Sequence, residues 1–491
     1  MNNLKKNNGQ VFTPNYLVRL ILDEAGYFGE NILYKHCIDN SCGDGAFLSE
    51  IVKRYAYEYK KKNNTIKGLR SSIETYIHGI EIEESAYNSC LKNLARISSE
   101  IGVCGCNFDI VHGDALKTQL YNNKMSYVVG NPPYVRVHNL NDEYNTVKAY
   151  SFAASGMTDL YLVFFELGYQ MLCDGGKLCY ITPSSWLNSV AGSVLRNFIR
   201  KSRSLKSLID LEHYQAFNAT TYTLISLFEK GIKHSQINYY NFDPIKLNKV
   251  YIDKILISEM DINGQFYLAR KDTLDMLRTI MTCRLKNYAT VKNGFATLSD
   301  KIFLSNNLPF TQFTIPVIKA STGRWIRGFF PYDNSGKPIS KERLFGIIEV
   351  QQYLIKHKED LLKGTPESKN PSWYLYGRTQ ALKDVFKNKL AVNVLLRDIS
   401  TIKANLVPSG SGVYSGIYVI SNYDLNHIKE IITNEDFINY ITALKKYKSG
   451  GYYTFNTKDL ESYLNYVLEK ENSHKHNEQI EEQRGLFSFN Y

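Results

Sequence analysis

The chain has 491 residues, 44% of them apolar and 22% charged, and carries a net charge of +11 at neutral pH. That length divides into two or three folded units at roughly 100–200 residues per domain, and the apolar share excludes wholesale disorder. No run approaches the ~18 apolar residues of a membrane span, the start MNNLKKNNGQ lacks an apolar signal segment, and the eight cysteines form no CxxC…CxxC pattern, so a soluble, cytoplasmic protein without a bound metal is expected.

In chain order, residues 13–28 space Leu17, Leu20, Ile21 and Ala25 along one face of a helix. Ile32–Asp39 reads as a short buried strand, followed by small residues and a helix from about Ala46 to Lys62. Residues 76–82 read as a second strand, 85–101 as an amphipathic helix and Asp109–His112 as a third strand. Tyr127–Gly130 is a fourth strand running into Asn131-Pro132-Pro133-Tyr134. Helices near 158–173 and 192–201 precede strands at 177–182 and 207–211, and 222–229 alternates as a last strand. Strands alternating with helices predict an α/β domain with a parallel or mostly parallel, doubly wound sheet over residues 1–235. Beyond it the rhythm breaks. A connector is expected at 236–274, an α+β domain over 275–468 and a polar tail at 469–491, exposed as a short helix or disordered.

Chemistry concentrates at the ends of the predicted strands. The run Asp39-Asn40-Ser41-Cys42-Gly43-Asp44-Gly45 closes the first strand with a carboxylate and a tight, glycine-permitted turn against which a ligand can lie. It lacks the GxxxxGK[ST] pattern of a triphosphate loop. Glu81, ending the second strand, can accept both ribose hydroxyl protons of an adenosine, and Asp114 after the third can accept from an adenine amino group. Each acid alone suits a surface strand end as well; three in succession are far less easily accidental.

Asn131 to Tyr134 carry the most. An exocyclic amino group on a nucleobase is a poor nucleophile because its lone pair is delocalised into the ring. Two acceptors on its hydrogens would turn that lone pair toward an electrophilic methyl group. The Asn131 side-chain oxygen and the Pro132 carbonyl can be those acceptors, with Pro132 and Pro133 stiffening the loop, and Tyr134 offers a face on which a turned-out base can stack.

With these motifs in this order over residues 9–230, the sequence resembles the gamma-class DNA amino-methyltransferases of bacterial restriction–modification systems, which methylate adenine N6 from S-adenosylmethionine. The resemblance implies a Rossmann-like methyltransferase sheet with a second, α+β DNA-recognition domain. Gln10-Val11-Phe12-Thr13-Pro14 looks like the family's N-terminal cofactor motif. By that likeness Thr13 and Pro14 cover the methionine end of the cofactor above Asp39, Ser41 and Gly43. Glu81 holds the ribose, Ile82 packs on the adenine ring, Asp114 and Ala115 read the adenine edge, and Asn131 borders the cofactor as well as the target. Asp159-Leu160-Tyr161 with Phe164, and Gly175 through Pro183, look like the next two motifs. Ala216-Phe217-Asn218 falls where the family often places a second aromatic on the flipped base, so Phe217 is expected to stack there with Tyr134. Ser41 or Cys42 replaces the first glycine of the common glycine-rich pattern, and Asp44 is an unusual acid inside it.

The charge is uneven: 24 Lys and Arg against 22 Asp and Glu over residues 1–230, but 32 against 21 over 231–468. A basic, aromatic-rich segment is the footprint of a surface that follows a phosphate backbone. Fainter likenesses to the family's target-recognition domain lie at Gly294–Thr297, Lys301–Phe303, Lys319, Trp373-Tyr374 and Lys389–Arg397. Arg324, Arg327, Arg378 and Lys403 are expected to touch DNA. The aromatics Trp325, Tyr374, Tyr376 and Tyr414 suit sugars and bases or a core equally.

The expectation is thus a site-specific adenine-N6 methyltransferase using S-adenosylmethionine on duplex DNA. It would act as a nucleoid-associated monomer in the bacterial cytoplasm, with a cognate restriction endonuclease as its potential partner. Because the motifs begin near residue 9, no nuclease domain is expected ahead of them. Transfer to cytosine N4, RNA or a protein glutamine, or a DNA-binding protein without turnover, are the alternatives.

Overall fold

A computed structural model describes residues 13–136, 147–153, 159–217 and 221–488, with side chains described as far as residue 473. The chain divides into two compact units, Met1–Asp275 and Met276–Tyr491. Among the described residues no helix is long and apolar enough to cross a membrane.

The first unit opens with helix α1 (Asn15–Ala25), which buries the expected Leu17, Leu20, Ile21 and Ala25 and ends on Gly26 at φ 72°, the left-handed geometry that favours glycine. Strand β1 is shorter than the hydrophobic run predicts, Cys37–Asp39 alone. The preceding residues are diverted: Glu30–Ile32 form a 3-10 turn, and Tyr34 takes φ 62° with its N–H on the Tyr55 hydroxyl at 3.2 Å. Helix α2 (Ala46–Asn63) follows. Helix α3 (Leu69–Tyr76), unread in the sequence, leads straight into β2 (Ile77–Glu81). Then come α4 (Glu84–Glu100), β3 (Asp109–His112), β4 (Met125–Gly130), α5 (Leu160–Met171), β5 (Leu172–Pro183), α6 (Ser193–Ser202), β6 (Leu205–Asp210) and β7 (Thr223–Glu229).

With β8 (Gln236–Asp243) and β9 (Asn248–Leu256) added, the sheet among the described residues has nine strands in the order β3-β2-β1-β4-β5-β7-β6-β8-β9. The pairs β3·β2, β2·β1, β1·β4 and β4·β5 are parallel, whereas β7 runs antiparallel to both β5 and β6. This is the expected doubly wound α/β sheet, mixed at one side. Strand order reverses at β1, which pairs with both β2 and β4. In such sheets ligands bind in the crevice outside the carboxyl ends at that reversal. Cys37 and Ile38 pair with Tyr127 and Val128, so Asp39 and the Gly130–Asn131 step emerge side by side at the crevice.

Residues 236–274 carry strands of their own. Strand β8 (Gln236–Asp243) joins the sheet parallel to β6, and β9 (Asn248–Leu256) folds back on it. A small hairpin of β10 (Asp261–Ile262) and β11 (Gln265–Phe266) completes the segment.

The second unit is α+β, built on three small sheets. One is ordered β12 (Ala289–Asn293), β19 (Ile417–Ser421), β15 (Lys389–Val392) and β17 (Ala404–Val407); another β14 (Arg324–Phe329), β13 (Thr314–Lys319) and β18 (Gly412–Tyr414); the third β16 (Leu395–Leu396), β21 (Tyr452–Thr454) and β20 (Tyr447–Lys448). Its main core is aromatic, with Phe295, Phe303, Phe329, Phe330, Trp373 and Tyr376 buried together. The terminal helix Thr457–Ser488 runs on through most of the predicted tail. It covers edge strand β12: Asn465 Oδ1 accepts from Tyr288 N–H (2.8 Å) and Ala289 N–H (2.9 Å), and Glu461 accepts from Val291 N–H (2.8 Å). Side chains thereby satisfy backbone donors that an uncovered edge would leave unpaired.

Candidate active site

The glycine turn is held by short backbone bonds, Cys42 N–H to the Ile80 carbonyl (2.9 Å) and Gly45 N–H to Cys42 (2.8 Å). Gly43 and Gly45 have φ of 56° and 85°, where a β-carbon is strained. The two glycines differ in surroundings. A Cβ on Gly45 would press on Cys90 Sγ at 2.8 Å, whereas one on Gly43 would meet no atom within 4 Å. Gly45 thus allows α4 to pack closely, and Gly43 borders open space. Glu81, 6% exposed, accepts the Gly43 N–H (2.7 Å) on one oxygen and the Glu83 N–H (2.8 Å) on the other. Each oxygen keeps a second lone pair, so Glu81 both braces the turn and can still accept from a ligand.

Asp39 is 1% exposed and accepts the Ser41 N–H at 3.1 Å. Burial pushes its carboxyl up to about 8; the negative charges of Glu81 and Asp44 add to the rise, and the Ser41 bond offsets part of it. Asp44 is half-buried, and that burial raises its carboxyl too. Asp114 caps the 3-10 turn Ala115–Lys117 through Leu116 N–H (2.9 Å), with the Lys117 ammonium 3.5 Å from its other oxygen. Ala115 is buried, while Ile82 is half-exposed beyond the end of β2.

Asn131 follows β4 directly, and its Nδ2 donates to Thr13 Oγ1 at 3.1 Å. Thr13 is buried, and Pro14 caps the start of α1. Pro132 is buried beneath the loop and Pro133 half-buried. The Tyr134 hydroxyl donates to the Ile181 carbonyl (3.2 Å), and burial holds its phenol well above the usual range, so it stays a donor. The Tyr134 ring stands edge-on to Tyr161 (6.3 Å, 79°) and Phe217 (6.2 Å, 76°). Phe217 belongs to the hydrophobic core as well, only 7% exposed. Gln10 to Phe12 and Asn218 lie outside the described residues.

Sequence reading missed several neighbours of this crevice. The Tyr180 hydroxyl donates to Asn40 Oδ1 (2.8 Å), tying β5 to the residue after Asp39. Tyr161 and Ser185 share a hydroxyl contact of 3.0 Å, and Tyr16 and Tyr214 one of 2.6 Å. Asn40, Tyr161 and Tyr180 lay within motif runs, though nothing local gave their partners; Tyr16, Ser185 and Tyr214 carried no such signal.

In the second unit, Arg324, Arg378 and Lys403 are exposed and Arg327 is half-buried. Lys403 Nζ lies 3.4 Å from the Thr322 carbonyl, at the β13–β14 turn that Arg324 leaves. Arg324 and Arg327 are three apart on a strand and so project from opposite faces. Tyr376 is a core residue, Trp325 is exposed, and Tyr374 and Tyr414 are half-buried. Lys389 belongs to the interior: its ammonium donates to the carbonyls of Asp384, Val385 and Lys387 at 2.8, 3.0 and 2.8 Å, and burial lowers it to about 8.

Residues 33–217 match the family model of the Eco57I restriction-modification methylase. The chain is 24% identical to the type II restriction enzyme and methyltransferase RM.Eco57I of Escherichia coli, over 87% of this chain and 53% of that protein. It is 27% identical to the type II methyltransferase M.BstVI of Geobacillus stearothermophilus, over 50% of this chain and 45% of that one. The chain therefore spans about half the length of the curated relatives it matches. Among solved structures it shares its fold with the type IIL restriction-modification enzyme MmeI, determined in complex with DNA, at a TM-score of 0.58 and 13% identity over 93% of this chain and 68% of that one.

Proposed function

We propose, taking as premise the match of residues 33–217 to a restriction-modification methylase family, that the protein transfers a methyl group from S-adenosylmethionine to the N6 amino group of adenine in duplex DNA. The observation that carries this reading is the position of Asn131: directly after β4, its amide anchored on Thr13, at the reversal point of a sheet whose neighbouring strand ends bear Asp39 and Glu81. Carboxylates at successive strand ends suit the ammonium and ribose of an adenosyl cofactor, and the open room at Gly43 leaves space for it.

The cofactor supplies a methyl group on a sulfonium, already activated for transfer. The protein's residues do the rest. Asn131 Oδ1 and the Pro132 carbonyl accept the two hydrogens of the target amino group and turn its lone pair toward the methyl carbon. A nitrogen–carbon bond forms as the sulfur–carbon bond breaks, and the amino group sheds one proton to solvent. Tyr134, backed by Phe217, receives the flipped base and offsets part of the few kcal/mol of unstacking. Catalysis on this reading is positioning and electrostatics. The basic second unit grips the duplex, with Arg324, Arg378 and Lys403 at its surface. A cognate restriction endonuclease against unmodified sites, an activity that the Escherichia coli relative's name joins to methylation, is the partner on the same reading.

Tritium transfer from labelled cofactor to unmodified genomic DNA, followed by nucleoside analysis, tests it. Label in N6-methyl-2'-deoxyadenosine that vanishes on Asn131→Ala, with S-adenosylhomocysteine still binding, is the expected result. Label in N4-methylcytosine, in RNA or in protein, or transfer by Asn131→Ala near the wild-type rate, would overturn it.

A further inference from the structure

We infer that Thr13 is a positioning residue for methyl transfer, acting through the amide of Asn131 and not through cofactor affinity. The inference rests on the functional reading above and deepens it. A side-chain amide is a fork with one donating and one accepting arm. Only the oxygen can take an amino hydrogen, so the fork must be held in one plane and one orientation. Asn131 Nδ2 donates to Thr13 Oγ1 at 3.1 Å across 118 residues of sequence. With the nitrogen turned to Thr13, the oxygen lies on the opposite arm of the fork.

Thr13 is itself a firm anchor. It is 8% exposed and precedes Pro14, which restricts its backbone to extended conformations. The Pro14 carbonyl accepts from Leu17 N–H (2.9 Å) and Val18 N–H (3.1 Å), the first turn of α1. That helix is locked into the core through Leu17, Leu20 and Ile21. The hydroxyl is therefore held by a rigid element, and the loop that must aim the amide leans on it. A residue that merely covered the cofactor would change cofactor affinity; one that aims Asn131 changes the rate at saturating cofactor.

The experiment compares Thr13→Val, Thr13→Ser, Asn131→Ala and the Thr13→Val/Asn131→Ala double variant. Single-turnover tritium transfer to unmodified genomic DNA is measured at saturating cofactor, S-adenosylhomocysteine affinity by calorimetry, and melting temperature for the full double-mutant cycle. Thr13→Val is expected to lose about 10–100-fold in transfer rate, the scale of a misplaced reacting group, while S-adenosylhomocysteine affinity stays within about threefold. Thr13→Ser, which keeps the acceptor, is expected to restore most of the rate. The melting shifts of Thr13→Val and Asn131→Ala should be non-additive, since both remove one shared bond. Transfer by Thr13→Val at the wild-type rate, a loss cured by more cofactor, or additive melting shifts would overturn the role. A wild-type protein that transfers nothing to DNA would overturn the functional reading and this role with it, a result distinguished by the wild-type measurement alone.

Discussion

Asp39 fills the space that a β-carbon on Gly130 would need: its Oδ1 lies 2.6 Å from that position. The carboxylate at the end of β1 is thus packed on the backbone of the residue that introduces Asn131. Gly130→Ala is expected to displace either the carboxylate or the loop. Overpacking of this kind costs about 1–3 kcal/mol, seen as a lower melting temperature, and the methyl-transfer rate should fall; S-adenosylhomocysteine binding should fall with it where the carboxylate is what moves. Unchanged melting and rate would show that the contact relaxes freely.

The buried Asp39 carboxyl also predicts a pH dependence. Its folded value, raised by burial to about 8, lies above its unfolded value near 4. The folded state therefore holds a proton that the unfolded state has released, and stability declines as pH rises between those limits, by up to about 1.4 kcal/mol per unit. Asp39→Asn should flatten the slope between pH 5 and 8 in denaturant titrations. A cofactor ammonium favours the ionised form, so S-adenosylhomocysteine should bind more tightly as pH rises toward 8, with proton release detectable in buffers of differing ionisation enthalpy. Equal slopes in both proteins would refute the assignment.

Asn465 of the terminal helix makes three bonds at the start of β12, accepting from the N–H of Tyr288, which precedes the strand, and of Ala289, and donating to the Ala289 carbonyl at 3.3 Å. Asn465→Ala leaves these backbone groups unpaired, at a cost of about 1–3 kcal/mol. Hydrogen exchange should accelerate at the Tyr288 and Ala289 amides, while amides of the first unit keep their protection.

Arg324 and Arg327 point to opposite faces of β14. A duplex lying on one face reaches one of them. Replacing each by Ala should therefore lower DNA affinity and reduce the salt-dependence slope by about 1 in one variant only. Equal losses in both would place the duplex along the strand's edge.

Much of this molecule is written locally. An apolar run that ends in an acid or a tight small-residue turn marks the close of a strand within about ten residues, so β2, β3, β4 and the motifs at their ends could be read without a structure. Where local signals conflicted, reading failed. The run before Asp39 looked like eight residues of strand but yields three, because Tyr34 turns out of line to meet Tyr55. Helix α3 hides in a polar stretch, LRSSIETY, whose buried positions are Leu69, Ser72 and Ile73.

The αβ alternation, the order of the motifs and the chemical character of the Asn-Pro-Pro-Tyr loop follow from residue order alone, since each depends on neighbours along the chain. Folding chose which distant residues serve that loop: Thr13 as the anchor of its amide, Asp39 beneath Gly130, Tyr180 on Asn40. It likewise turned β7 against its neighbours, sank Lys389 into the interior and set Arg324 and Arg327 on opposing faces. Such pairings join parts of the chain far apart in sequence, and they are selected by burial and register rather than by any local preference.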